Sequence, residues 1–174
     1  IFAWSLKGMG DALEISTFVR NVVGSNASAS VILPAILFVV AVFLSFSTGT
    51  SWGTFAILVP IAIAMFPGNE NLQMMIISVS AVLAGAVCGD HISPISDTTV
   101  MSSAGAQSNH INHVTTQMQY AAVVAVISFI GYIIAGFIHI WWVVLGISLV
   151  LLLVTLTVIK KISAGRDKET GAHV

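Results

Sequence analysis

Charge is what this chain has least of. Of its 174 residues 7% are Asp, Glu, Lys or Arg and 57% are hydrophobic, whereas an ordinary soluble domain is about 25% charged. A surface that faces water needs more charge than that. With a mean hydropathy of +1.00, a water-soluble enzyme is excluded and lipid is the solvent for most of the chain. Basic residues are confined to the ends, as Lys7 and Arg20, then Lys160, Lys161, Arg166 and Lys168. A formal net charge of −1 and no basic stripe leave no electrostatic footprint for nucleic acid. The single cysteine, Cys88, excludes a disulfide framework and a Cys-x-x-Cys pair, and it reads as a small buried apolar residue. There is no assembled triad and no clear metal centre. His110 and His113 have the spacing of a zinc pair but no further ligands beside them, and they read as a solvated loop with cytoplasmic pH sensing as the alternative. No cofactor is expected.

What is there is a set of apolar runs with polar interruptions, pointing to an all-α polytopic membrane protein. Ile1–Leu6 resembles the tail of an apolar helix that began earlier, so the chain is expected to be a C-terminal fragment. Residues 1–28 read as that helix end followed by an amphipathic connector at headgroup level. The sequon-like Asn26-Ala27-Ser28 is a chance match. Val31–Phe66 carries no charge and is much longer than the about 20 residues of one crossing. It is interrupted at Ser45–Thr54 by Ser, Thr and Gly, with Trp52 expected as a packing wedge. Two short arms, Val31–Leu44 and Phe55–Phe66, predict a re-entrant hairpin with its tip buried in protein or lining a cavity; two complete spans are the alternative. Pro67–Asn71, with Glu70, is a turn at the interface.

Leu72–Ala106 reads as one discontinuous span broken at 90–98, its Ser102–Ala106 stretch suited to close helix packing. Gln107–Gln119 is expected as an interfacial loop or short helix. Tyr120–Ile140 and Trp141–Ile159 are two plain antiparallel spans anchored by Trp141 and Trp142. The basic residues after Ile159 put the C-terminus in the cytoplasm by the positive-inside rule. Counting back, Gln107–Gln119 lies inside and Pro67–Asn71 outside, so the hairpin opens from the outer face.

Between residues 21 and 159 the only charged residues are Glu70, Asp90 and Asp97. A carboxylate at membrane depth costs about 2.5–3.5 kcal/mol on insertion scales, so Asp90 and Asp97 need a reason. One is structural, capping backbone freed by Pro94 or pairing with an Arg outside this chain. The other is a site that holds Na+ and a proton in turn. Carboxylate oxygens suit a small hard cation, and burial favours the protonated form when no cation is present. Ser93, Ser96, Thr98 and Thr99 bring hydroxyls close, and Thr48, Thr50 and Ser51 supply more if the two polar breaks meet at mid-membrane. His91 beside Asp90 is a candidate proton relay or pH-tuning group, with a structural histidine as the alternative.

Gly49-Thr50-Ser51-Trp52-Gly53-Thr54 with Pro60-Ile61-Ala62, and Gly89-Asp90-His91-Ile92-Ser93-Pro94-Ile95-Ser96-Asp97-Thr98-Thr99, resemble the signature stretches of the NhaC-type Na+/H+ antiporter family. Ser102-Ser103, Gly105-Ala106, His113-Val114 and Thr116-Gln117 continue the resemblance. It implies a prokaryotic inner-membrane secondary transporter built from two inverted repeats, with this chain holding most of the second. Residues 29–160 are then the transmembrane transport region and 161–174 a cytoplasmic tail. The implied partners are Na+, H+, the bilayer and the N-terminal repeat of the same protein, and a homo-oligomer stays open. The resemblance also implies a second cargo class, because relatives exchange Na+-linked malate and lactate. A non-transporting assembly subunit is the third reading.

Overall fold

The computed structural model describes residues 27–66 and 72–169, together with scattered positions before residue 27; side chains at 27–30 and 163–169 are outside the description. Six helices account for these segments: α1 Ala27–Thr48, α2 Ser51–Ala64, α3 Leu72–Ile92, α4 Asp97–Gly105, α5 His110–Phe137 and α6 Trp141–Glu169. Among the described residues there is no strand. Four helices are long and apolar enough to cross a membrane, namely α1, α3, α5 and α6. The chain is thus an all-helical polytopic membrane protein. The connector before Ala27, the turn at 67–71 and residues 170–174 fall outside the described segments.

The core is the seam between α1 and α3, and small residues make it. Ala81, Gly85 and Gly89 recur every fourth residue along the buried face of α3, a spacing that lets two helix backbones touch. A Cβ at Gly85 would run into the Phe38 carbonyl, and one at Gly89 would overlap the Val42 carbonyl oxygen. A step of four along α3 therefore matches a step of four along α1, which makes the two helices parallel. Ser45, fully buried, donates to the Ala86 carbonyl at 2.6 Å across the same seam.

Because α1 and α3 run the same way, α2 has to return between them. Its start lies beside the end of α3, where Ser51 reaches Asp90. Farther along, Leu58 and Ala62, then Met65 and Phe66, join one apolar cluster with Leu33, Leu37, Met74 and Val82. A hairpin forms, but not the expected one of two short arms: α1 is long enough to cross on its own, and only α2 is too short. At 1.5 Å per residue, α1 with 22 residues is about 33 Å long and α2 with 14 about 21 Å, so only the first matches the roughly 30 Å of a hydrocarbon core. The expected tip at 45–54 shrinks to Gly49 and Thr50, since Ser47 and Thr48 stay helical by donating to Phe43 and Leu44 carbonyls. Gly49 ends α1 with a φ of +67°, a conformation open to glycine at no steric cost.

The break in the second span is likewise shorter than 90–98, comprising residues 93–96 between α3 and α4. α3 alone, at 21 residues, is long enough to cross. Pro94 has no N–H for the Asp90 carbonyl and disfavours helical backbone at Ser93, although Pro34 and Pro60 are accommodated inside α1 and α2. Thr99 on α4 instead folds back to the carbonyl oxygens of Asp90 and His91, at 3.5 and 3.3 Å. Four residues of the Ser102–Ala106 stretch are exposed, with Ser103 buried, and a Cβ at Gly105 would meet nothing. Close helix packing falls to Gly85 and Gly89, not to this stretch.

Gln107–Gln119 divides differently from the expectation. Residues 106–109 are the connection, Asn109 caps α5 by accepting from Asn112 N–H, and His110–Gln119 are the opening turns of a 28-residue helix. α5 runs antiparallel to α1 and α3, with Gly136 against Val31, Tyr132 against Phe38, and the Tyr132 hydroxyl at Ser80. α6 packs antiparallel on α5, Gly131 against Ser148. The exposed Trp141 and Trp142 rings stack at the link, and α6 continues as helix to Glu169, into the segment expected as a tail.

Candidate functional site

The two backbone breaks meet. A Cβ on Gly49 would come within 2.9 Å of the Ile95 carbonyl oxygen, so the turn between α1 and α2 lies directly against the link between α3 and α4. Ser93, fully buried, donates to the Phe46 carbonyl at 2.7 Å and pins the link to the last turn of α1. Beside this junction, following the Gly89 contact, is Asp90.

Asp90 is 5% exposed, and hydroxyls from separate elements converge on its carboxylate. Ser96 in the link donates to Oδ1 at 2.6 Å. Ser51 in the first turn of α2 donates to Oδ2 at 3.2 Å, and Thr98 in the first turn of α4 stands 3.4 Å from the same oxygen. The local sequence explains each placement. Thr50 is the N-cap of α2, its hydroxyl accepting from Gly53 N–H, which leaves Ser51 at the helix start. Ser96 is the N-cap of α4 but makes no cap bond with its side chain; its hydroxyl is spent on Asp90. Two helix N-termini, each carrying partial positive charge, thereby approach one buried carboxyl group. No Lys or Arg lies between residues 21 and 159 to pair with it.

Asp97 is placed otherwise. It is exposed, in the first turn of α4, where it accepts from Thr98 N–H at 2.8 Å. Thr98 Oγ1 is also 3.4 Å from Asp97 Oδ1, so this one hydroxyl lies between the two carboxylates. Of the eight residues proposed for the ion, the structure brings Asp90, Ser51, Ser96 and Thr98 together directly, with Asp97 joined through Thr98. Ser93 and Thr50 shape the backbone around the carboxylate. Thr48 is exposed and turned back onto Leu44. His91 is exposed, and its Nδ1 bonds the Val87 carbonyl at 2.8 Å on its own helix. It lines a groove with Leu83, Cys88, Gln117 and Tyr120. Trp52, the expected wedge, is 80% exposed and meets Phe55 edge-on. Cys88 is half-buried. Met74 packs in the core and Met75 against it. Among the described residues there is no cluster of three or more His, Cys, Asp or Glu fit for a metal.

Thr99, expected among the hydroxyls near the carboxylates, bonds the backbone carbonyls of Asp90 and His91 instead; sequence reasoning passed over Ser45 and the Gly85/Gly89 face. The fourfold recurrence of small residues before Asp90 is the signal for that face, since a carboxylate that continues a buried small-residue stripe must itself be buried.

A family model described as Na+/H+ antiporter family matches residues 1–137. An uncharacterized protein of Haemophilus influenzae is 50% identical over 136 residues, covering 78% of this chain and 26% of that protein. The Malate-2H(+)/Na(+)-lactate antiporter of Bacillus subtilis is 34% identical over 111 residues, covering 63% of this chain and 23% of that protein. The chain spans about a quarter of the length of these curated relatives. No solved structure gives a significant match.

Proposed function

The chain belongs to the Na+/H+ antiporter family, and from that premise we propose that it carries the ion-binding carboxylate of a secondary transporter exchanging sodium for protons. The observation behind this reading is Asp90, buried at the junction of two helix breaks and ringed by three hydroxyl groups, with no basic partner among the described residues. A buried anion of this kind is costly until something neutralises it. A proton on the carboxylate does so. So does a small hard cation, which shares the carboxylate with the oxygen lone pairs that Ser51, Ser96 and Thr98 keep while donating. One carboxylate cannot hold both guests, and that competition couples the two flows. Asp97 is the second, outer carboxylate, exposed and sharing Thr98 with the first.

The basic cluster at Lys160 and Lys161 supports a cytoplasmic C-terminus in the inner membrane. The partners of this reading are Na+, H+, the bilayer and the rest of the same polypeptide, with self-association open. Asp90→Asn in the full-length protein, in inverted membrane vesicles, should abolish sodium-dependent proton flux at normal protein levels. Undiminished flux refutes the proposal.

A second reading, exchange of an organic carboxylate with sodium, draws support from the convergence of the α2 and α4 N-termini, whose field suits an anion, and from the malate and lactate in the Bacillus subtilis relative's name. The same vesicles distinguish it. Labelled malate or lactate uptake that depends on Asp90, without sodium–proton exchange, selects this cargo. No movement of either under any gradient selects a non-transporting assembly subunit.

A further inference from the structure

The link that carries Ser96 is held from two sides. On one, Ser93 and Ile95 lie against α1 and the Gly49 turn. On the other, His110 Nε2 stands 2.7 Å from the Pro94 carbonyl oxygen. A carbonyl only accepts, so the proton is on Nε2. The ring's Nδ1 then faces the buried Ser103 Oγ of α4 at 3.0 Å. A single imidazole in the first turn of α5 thus grips both the residue that breaks α3 and the helix that follows. Two residues after Pro94 comes Ser96, with the shortest hydroxyl donation to Asp90, and two further on comes Thr98.

We propose that His110 is a positioning residue for the Asp90 site, fixing the Pro94–Ser96 link and the start of α4 so that the Ser96 and Thr98 hydroxyls stay on the carboxylate. It touches neither Asp90 nor the ion and acts through the backbone it holds. One turn along α5, His113 Nε2 meets Ser102 Oγ at 3.3 Å on the exposed side of α4, with no bond to the link. The clamp therefore belongs to His110 alone. This role rests on the reading of Asp90 as the ion-binding carboxylate.

The test uses the full-length protein in proteoliposomes, with sodium as the varied ion and proton flux as the signal. His110→Ala removes the Pro94 bond and lets the hydroxyls drift, so the half-saturating sodium concentration should rise up to about tenfold, the scale of one lost hydrogen bond, with maximal flux per reconstituted protein nearly kept. His110→Gln, whose amide nitrogen reaches the Nε2 position, should restore the wild-type half-saturation. His110→Asn, too short for Pro94, should not. A loss of maximal flux with unchanged half-saturation, or Gln and Asn variants that behave alike, overturns the role. If the Ala variant does not accumulate, the Gln and Asn pair decides. Asp90→Asn run in parallel separates the failures: flux that survives in it sinks the ion-site reading, whereas flux lost in it beside His110 variants of wild-type half-saturation sinks the positioning role only.

Discussion

Removing the Ser96 hydroxyl tests the site at its tightest contact. Ser96 is fully buried and donates at 2.6 Å to a carboxylate that is itself 5% exposed. A hydrogen bond to a charged group contributes about 1.5–3 kcal/mol, and each 1.4 kcal/mol is a factor of about ten in occupancy. Ser96→Ala removes both that donation and one oxygen available to the cation. The half-saturating sodium concentration should therefore rise about 10- to 150-fold. Ser51→Ala and Thr98→Val remove contacts of 3.2 and 3.4 Å and should have smaller effects. Ser47→Ala is the control, because that hydroxyl is exposed and bonded to Phe43 of its own helix. The assay is sodium-induced collapse of a pH gradient in proteoliposomes, followed over a range of sodium concentrations at two pH values. A Ser96→Ala protein with unchanged sodium dependence, or a Ser47→Ala protein equally impaired, refutes the assignment of the hydroxyls around Asp90.

Two further expectations concern the scaffold. Gly89→Ala puts a methyl group into the Val42 carbonyl at an overpacking cost of about 1–3 kcal/mol, more than the roughly 1 kcal/mol gained in helix propensity; thermal unfolding in detergent should show a lower Tm, while Gly146→Ala, facing open space, should leave it unchanged or higher, and the reverse order would mean that α1 and α3 do not share this seam. A cysteine at Lys161 in a Cys88→Ser background should react with a membrane-impermeant maleimide in inverted vesicles and resist it in intact cells, and labelling in intact cells would invert the proposed topology.

The apolar runs, both polar breaks and the contact between those breaks were legible in the sequence, because lipid tolerates irregular backbone only where protein or water covers it; the expected mid-membrane depth was not, since each break follows a helix long enough to cross. Helix ends were not. Ser, Thr, Asn and Gln suggest a loop when counted by polarity, yet inside a helix a hydroxyl can bond the carbonyl one turn back. Ser47, Thr48, Thr115 and Thr116 all do this. That is why α1 runs on to Thr48 and α5 begins at His110, where composition suggested a hairpin tip and an interfacial loop. Gly49 with its positive φ follows the end of α1 and Pro94 stands in the link after α3, but Pro34 and Pro60 lie within helices, so proline alone does not mark a helix end.

The two aspartates carry the same lesson into the site. On an unbroken helix Asp90 and Asp97 would lie on one face about two turns apart, and residue type gives no ground for treating them differently. Pro94 separates their fates. Asp90 is still inside α3, on the face that Gly85 and Gly89 press against α1, so it is buried with its helix. Asp97 is the first residue of a new helix, where a carboxylate is favoured by the helix dipole without burial, and it stays exposed. The distinction follows from where each carboxylate stands relative to the break, and it makes Asp90 the inner ligand and Asp97 its outer neighbour in the proposed site. The two substitutions should then differ in kind: Asp90→Asn removes the group on which sodium and proton compete, and Asp97→Asn removes a charge that acts on that competition through Thr98.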